Sequence, residues 1–518
     1  MLGLVLATLS CRSTFELDPD PANARPYAEA GGGGTYVVGE PITLDGSHSF
    51  DPDGRITSYA WRWLEKPDAS PYVTVENSSS AVATVRLAAV GRYVFVLYVT
   101  DDANATERSY ATIDIEGPHL EVDAGADTAA AWPDVVQLSG TAEVEPHFTR
   151  TTEWSFVSRP VGSNATLDNP NSLTPSFRID AEGTYVVRLT AKTPYNTVTD
   201  DVVVVGTVPR YTFGYDIVDA EYSKILERWV TVSNSPATLH VFNPATGTEA
   251  TVALAFAPTA VGISPDGLRA AVGHDGHLSV VDLQTLAVVN TYPLTIPIGD
   301  VVFGTDNRVH CLERVSSGWG RFDTVDLASG TVAITNRTLT GRARLHPSGS
   351  VMYATDYGSG LEKFDVTTTP VTFVRRSPSG GASGEMWFTD DGFTMVTSSR
   401  YVYYASANPT IDMTSRSMLA GRGSVWSMAD APSHGELAVV SYEYGFGNDP
   451  EASHLDLFDD QQFTARTVIP LPNLVAGSMS LVSAGRFVAY RTDGSTLYVI
   501  AKAATTPANT WMLYTVAR

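Results

Sequence analysis

The chain has 518 residues, 43% of them hydrophobic, and this length predicts two to four folded domains rather than one. Its 34 Lys and Arg residues stand against 57 Asp and Glu residues, which gives a net charge of −23 at pH 7. A chain this acidic would be repelled by a polyanion, so the composition excludes a nucleic-acid-binding protein. The Gly- and Pro-rich, acidic composition is typical of an extracytoplasmic β protein.

The first ten residues predict a signal peptide, because Leu2 to Leu9 form an apolar run. This run is too short for a transmembrane helix, which needs roughly 20 residues. It ends in Thr8-Leu9-Ser10-Cys11, which resembles the lipobox of bacterial lipoproteins, although Leu is usual in place of Thr8 and no basic residue precedes the run. The resemblance implies acylation of Cys11 and an outer-membrane lipoprotein. A plain signal peptide followed by an incidental cysteine is the alternative.

Residues 11–34 predict a flexible tether that leads away from the lipid anchor. The segment has no hydrophobic period, carries Pro19 and Pro21, and ends in four consecutive glycines, Gly31 to Gly34. Such a composition favours a flexible chain over a packed element.

Short alternating strands separated by turn residues predict a β-sandwich over residues 35–116. The run Leu44-Asp45-Gly46-Ser47-His48-Ser49-Phe50-Asp51-Pro52-Asp53-Gly54, followed by Tyr59-Ala60-Trp61, resembles the PKD domain, an immunoglobulin-like module. The later run Gly91-Arg92-Tyr93-Val94-Phe95, with Val99-Thr100-Asp101-Asp102, resembles it too. In such a sandwich Trp61 is expected to be a buried core residue.

Four acidic residues of this module leave two interpretations open: Asp51, Asp53, Asp101 and Asp102. They predict either a calcium site at one end of the sandwich, since carboxylate oxygens are calcium ligands, or a tight turn. The turn needs no metal, because Gly54 in Asp-Pro-Asp-Gly supplies the positive φ that such a turn requires.

A second copy of the module is predicted over residues 117–207. Glu153-Trp154-Ser155-Phe156 aligns with Ala60-Trp61-Arg62-Trp63, and Gly183-Thr184-Tyr185-Val186 aligns with Gly91-Arg92-Tyr93-Val94. This copy resembles the PKD family as well, but it lacks the Asp-Pro-Asp-Gly turn. Trp154 is expected to occupy the same core position as Trp61.

The last part of the chain, residues 210–518, repeats a turn of the type Ser264-Pro265-Asp266-Gly267 at intervals of 40 to 43 residues. Later copies begin at Gly304, His346 and Thr389. A period of about 40–45 residues with several short strands is the mark of a β-propeller blade, and the segment has room for seven, the last over residues 474–518. The repeat resembles the YVTN type of seven-bladed propellers in surface-layer and lactonase-like proteins. The predicted fold is therefore all-β: two immunoglobulin-like β-sandwich modules in tandem and a seven-bladed β-propeller.

Loops between the second and third strands of each blade share one face of a propeller with the connections between blades. Exposed aromatic side chains on such loops favour a binding surface, although they can also pack locally over the disc. The predicted contact residues on this face are Trp319, Tyr357, Tyr442, Tyr444 and Phe446, together with His274 and Asp275.

His274-Asp275-Gly276-His277 combines metal-ligand residue types, but a zinc site needs at least one more ligand and a solvated turn is the alternative. The chain has no Gly-x-Ser-x-Gly, His-Glu-x-x-His or phosphate-loop motif. The sequence thus predicts no cofactor other than the calcium above. It favours an anchored protein that binds a protein or glycan, contacts a membrane through its lipid alone, and does not bind nucleic acid. A propeller hydrolase or lactonase and a structural subunit of an envelope assembly remain alternatives.

Overall fold

The computed structural model describes residues 23–315, 320–339, 341–356, 360–378, 384–421, 423–442, 454–476, 479–503 and 510–518. Within these ranges the regular structure is β-strand apart from one 3-10 turn at Pro432–His434. None of the helical structure in these ranges has the length and apolar character that crossing a bilayer requires.

The first sandwich packs two sheets around a core that contains Trp61, Tyr93 and Phe95. One sheet contains the strands Gly34–Val37, Thr106–Glu116, Gly91–Asp101 and Ile56–Glu65 in that order. The other contains Pro41–Asp45, Val82–Arg86 and Val75–Glu76. Inward and outward side chains alternate along Gly91–Asp101, as expected for a strand with one face on the core.

The predicted tether is wrong for residues 23–34, because this segment packs on the first sandwich. Tyr27 pairs with Phe50, and the Glu29 amide donates to Ser49 Oγ at 3.0 Å. Ala30 is buried in the core of the module. The glycine and proline content suggested a flexible chain. It did not reveal that small residues in this segment allow its backbone to pack closely against that of the sandwich.

The second sandwich repeats the main sheet of the first, with Trp154 buried against Leu189. Its four-stranded sheet contains Thr151–Ser158, Gly183–Lys192, Thr197–Thr207 and Thr128–Ala131. Two short pairs complete it: Val135–Gln137 with Ser176–Arg178, and Leu120–Asp123 with Thr141–Val144.

Seven four-stranded blades follow within the described residues, and in the first six the strands run from the innermost outward in the order of the chain. Blade 1 contains Asp219–Ser223, Arg228–Asn234, Ala237–Asn243 and Thr248–Ala253. Blades 2 and 3 are built from Pro258–Ile263, Arg269–Asp282, Ala287–Phe303, Arg308–Glu313, Gly320–Asp326 and Val332–Leu339. Blade 4 contains Ala343–Leu345, Val351–Asp356, Gly360–Asp365 and Thr372–Arg376. Blade 5 contains Met386–Phe388, Thr394–Thr397, Tyr401–Tyr404 and Ser415–Met418. Blade 6 contains Ser424–Ala431, Glu436–Tyr442, His454–Asp459 and Ala465–Pro470.

Two long segments each serve as two strands. Arg269–Asp282 turns at Gly276, whose φ is +79°, so its halves are the second and third strands of blade 2. Ala287–Phe303 is first the outer strand of blade 2 and then the inner strand of blade 3.

Blade 7 differs from the predicted division at 474–518. Its inner strands are Ser483–Tyr490, Thr496–Ala503 and Trp511–Ala517, and Leu474–Ala476 forms a separate pair with Met479–Leu481. The fourth strand is Arg210–Phe213, from the start of the domain, which pairs with Trp511–Ala517. This clasp strand closes the ring non-covalently. The predicted all-β fold class is therefore confirmed, with this correction to blade 7.

Candidate functional site

The inner strands of the propeller surround a central cavity of about 760 Å³. Its walls come from blades 1, 4, 5, 6 and 7. Small ligands bind in clefts of roughly 300–1,000 Å³, so this volume is that of a ligand site.

The inner strands of blades 2, 3, 6 and 7 each carry one extra residue at the same place near their start. The register against the second strand shifts there, at Thr259, Gly299, Trp426 and Arg486. A β-bulge of this kind re-aims a side chain and is frequent beside functional sites. In blades 6 and 7 the extra residues line the cavity, and the Arg486 guanidinium lies 4.0 Å from the centre of the Trp426 ring.

The residue that follows the bulge position, or its equivalent in a blade without a bulge, hydrogen-bonds to the next blade in three cases. Asp219 Oδ2 accepts the Val261 N–H at 2.9 Å, and Asp300 Oδ2 accepts the Ala343 N–H at 2.9 Å. Ser427 Oγ does the same for the Val488 N–H at 3.1 Å. Burial raises the pKa of Asp219 to about 6. These side chains therefore act as scaffold, and their acidity alone does not indicate a ligand.

Arginine and carboxylate groups bridge the cavity from blade 4 to blade 5 and, across the ring, to blade 1. Arg344 Nη2 lies 3.5 Å from Glu221 Oε1 of blade 1 and 3.1 Å from Glu385 Oε2 of blade 5. Arg342 Nε lies 2.9 Å from Glu385 Oε1. Burial raises the pKa of Glu221 to about 7, against the opposing field of Arg344. Asp300 shares the same two arginines, since its Oδ1 lies 3.6 Å from Arg342 Nη1 and 3.7 Å from Arg344 Nη1.

At the other end of the inner strands, Lys224 Nζ donates to both carboxylate oxygens of Asp390 at 2.6 Å. Lys224 follows the inner strand of blade 1 and Asp390 lies in the first turn of blade 5, so this ion pair also crosses the ring. Both side chains are 43% exposed.

Asp430 is the one acidic member of its repeat position among the described blades. The equivalent residues of the other inner strands are Tyr222, Ile263, Phe303, Leu345, Phe388 and Tyr490. Asp430 is 6% exposed and lines the cavity; its Oδ2 accepts the Asp390 N–H at 2.8 Å. Its Oδ1 accepts no hydrogen bond from the described residues. Burial raises the pKa of Asp430 to about 6.

Most residues predicted as contacts are not described by the structure. Cys11, Trp319, Tyr357, Tyr444 and Phe446 lie outside the described residues, and these predictions stay predictions. Tyr442 ends the second strand of blade 6, and its side chain is not described.

The turn at residues 274–277 is solvated at Asp275, as one sequence interpretation predicted, but His274 is not part of the solvated surface. His274 is buried, its Nδ1 lies 3.1 Å from the Ala257 carbonyl and its Nε2 lies 2.9 Å from Ser279 Oγ. Both ring nitrogens are engaged, so His274 offers none to a ligand. Asp275 is exposed and pairs with Arg314 at 2.7 Å. Among the described residues no three His, Cys, Asp or Glu side chains are arranged to hold a metal ion.

The four aspartates of the first sandwich do gather at one end. Asp101 is buried and accepts the N–H groups of Ala103 and Ala105, and Asp53 accepts that of Ala24. Asp51 accepts none from the described residues. Desolvation and the neighbouring carboxylates raise the pKa of Asp51. Turn hydrogen bonds thus account for Asp101 and Asp53, and calcium stays a prediction.

Sequence reasoning missed Trp426, Arg486 and Asp430. A signal for Asp430 was present, because aligning the inner strands from their turns places it in a column of large aromatic or aliphatic residues. The bulges at Trp426 and Arg486 give no comparable signal in the sequence, because one extra residue in a strand cannot be distinguished from a difference in the length of the connection between blades.

Residues 33–115 match a family described as a PKD domain, of the type found in KIAA0319-like proteins. These residues are a PKD domain. Over 124 residues the chain is 35% identical to the dyslexia-associated protein KIAA0319-like protein of Mus musculus, covering 23% of this chain and 12% of that protein. Over 96 residues it is 38% identical to dyslexia-associated protein KIAA0319 of Homo sapiens, covering 18% and 9%. The chain therefore spans only about a tenth of the length of these relatives.

The propeller is similar to the Cps50 (Swd1) β-propeller domain of Myceliophteria thermophila, at 11% identity and a TM-score of 0.45. That comparison covers 60% of this chain and 100% of the other. The PKD domain is similar to the PKD domain of the KIAA 1837 protein, at 38% identity. That match covers 17% of this chain and 85% of the other, with a TM-score of 0.16.

Proposed function

We propose that this protein is an exported, surface or adhesion-type interaction protein whose β-propeller binds a protein or glycan. The acidic β-rich chain and its PKD domain support a location outside the cytoplasm. The lipobox-like residues support lipid attachment at Cys11 and an outer-membrane location. The aligned motifs support a PKD origin for the second sandwich and a YVTN origin for the propeller.

The observation that carries the proposal is the pair of bulge residues in the central cavity. The scaffold roles in this ring belong to the side chains after the bulge, such as Asp300 and Ser427. Trp426 stands at the bulge itself, is 39% exposed and lies beside Arg486. An exposed tryptophan beside an arginine has the residue types that dominate binding energies at interfaces.

The topology also relates the cavity to the predicted loop surface. Trp426 lies near the start of its inner strand, which follows directly on the connection from blade 5. Connections between blades share one face with the loops between second and third strands. Trp426 therefore lies near the mouth of the propeller on the face for which the sequence predicts contact loops.

The test is capture of cell-surface material by the immobilised full chain. We expect Trp426→Ala, or Tyr444→Ala combined with Phe446→Ala, to lower the captured amount of a partner at least about tenfold, the loss of a contact worth about 1.4 kcal/mol. Val289→Ala, on the exposed outer strand of blade 2, is the control and should capture as the wild type does. Identical capture by all variants would contradict binding through the propeller.

A further inference from the structure

We infer that the central cavity is a carbohydrate site, in which Trp426 and Trp387 stack on sugar rings while Asp430, Glu385 and Arg486 hydrogen-bond to hydroxyl groups. This inference rests on the proposed function and names the ligand class of its site. Blades 5, 6 and 7 contribute these five side chains to one cavity.

Size favours a few sugar units over a folded partner. The cavity of about 760 Å³ lies within the ring of inner strands, and this volume is that of a small ligand rather than of a folded domain. Three residues after the bulge position, blades 6 and 7 carry the small residues Ala429 and Ala489. Blades 4 and 5 carry the large residues Arg344 and Trp387 at the same place. The small residues leave open the half of the cavity beside Trp426.

The mixture of polar groups favours a ligand that both donates and accepts hydrogen bonds. Asp430 Oδ1 is a buried acceptor with no partner among the described residues, and leaving such an atom unpaired is costly. Arg486 presents donors only, and Glu385 presents acceptors in its ionised form. A hydroxyl group can donate a hydrogen bond to a carboxylate and accept one from Arg486. A polyol can therefore pair with both kinds of group, whereas a purely cationic or purely anionic ligand can pair with only one kind.

The charge balance also points to a neutral ligand. Glu221 and Glu385 pair with Arg342 and Arg344, at 2.9 to 3.5 Å, and Asp390 pairs with Lys224. The described side chains that line the cavity include five carboxylates and four cationic groups, so little net charge is left to select a simple ion. Aromatic faces carry partial negative charge and attract the weakly positive C–H face of a sugar ring.

The experiment is a screen of the full chain against arrayed neutral, amine-bearing and acidic oligosaccharides, followed by calorimetric titration of the best glycan. We expect a neutral glycan to bind, with affinity about tenfold or more weaker in Trp426→Ala and in Asp430→Asn. Trp426→Phe keeps an aromatic face and should restore part of the affinity. Trp63→Ala, which removes a partly exposed tryptophan of the first sandwich, is the matched control and should leave the affinity unchanged.

Circular dichroism and the melting temperature show that each variant is folded. Asp430→Asn keeps an oxygen for the Asp390 N–H, and Trp426 is exposed, so both variants should fold. If no glycan binds at millimolar concentration, or if Trp426→Ala and Asp430→Asn bind it as the wild type does, the carbohydrate site is overturned. Loss of a captured protein partner in Trp426→Ala, without any glycan binding, would overturn the carbohydrate site but leave the proposed function standing.

Discussion

Asp430 is buried at a place where the other described blades carry a large aromatic or aliphatic side chain. Burial raises its pKa to about 6 from an ordinary value of 3.8; the hydrogen bond from the Asp390 N–H opposes this, the carboxylates of Asp390 and Asp460 add to it, and Lys224 opposes it. Between about pH 4 and pH 6, Asp430 is therefore protonated in the folded state and ionised in the unfolded state. Stability consequently falls as the pH rises from about 4 to about 6, by up to about 3 kcal/mol from this residue.

Asp430→Asn should remove this loss, because the amide does not ionise and its oxygen still accepts the Asp390 N–H. We expect the free energy of unfolding to rise by about 1–3 kcal/mol at pH 7.5 and to stay unchanged near pH 4. Urea unfolding of the propeller at both pH values measures this. A variant that is less stable than the wild type at pH 7.5 would contradict the prediction. Asp430 thus lowers the stability of the fold at neutral pH. Residues of functional sites commonly do so, and this cost is consistent with a role of Asp430 in ligand binding.

At the scale of elements, the turns of the propeller were readable from the sequence because their chemistry is local. Ser264-Pro265-Asp266-Gly267 needs a positive φ at its glycine, and Gly267 has φ +71°. Gly349 and Gly392 repeat this at +71° and +70°. The clasp was not readable, because Arg210–Phe213 pairs with a strand about 300 residues later and no local signal records that pairing. The cavity residues depend on bulges and on pairing between blades, which are equally non-local.

The clasp strand should carry much of the stability of the ring. Phe213 is buried, and its ring lies 5.2 Å from that of Phe242 in blade 1. Phe213→Ala should cost about 3–5 kcal/mol, as expected for removing a buried aromatic side chain. Chemical unfolding followed by tryptophan fluorescence measures the loss. Val374→Ala, on the exposed outer strand of blade 4, is the control and should cost less than about 1 kcal/mol. A loss of the same small size for Phe213→Ala would show that the ring stays closed without this contact.

At the scale of the whole molecule, the second sandwich packs against the propeller and is not joined to it by a flexible linker alone. Its last strand ends at Thr207 and the clasp begins at Arg210, so two residues connect them. Trp132 is 2% exposed; its Nε1–H donates to the Pro470 carbonyl at 3.2 Å and its ring lies 5.6 Å from that of Tyr514. The buried core of the sandwich thus continues into blades 6 and 7. A propeller held in this way keeps one orientation relative to the module that precedes it.

Trp132→Ala should separate the unfolding of these two domains. We expect one calorimetric transition for sandwich and propeller in the wild type and two in the variant, because the shared core loses about 3–5 kcal/mol of packing. Cleavage by a protease near residues 207–210 should become faster in the variant for the same reason. Trp61→Ala is the control, since it removes an equally buried tryptophan from the core of the PKD domain, away from this contact. If Trp132→Ala keeps the single transition while Trp61→Ala lowers only that of the PKD domain, the two domains are coupled through the clasp strand and not through Trp132.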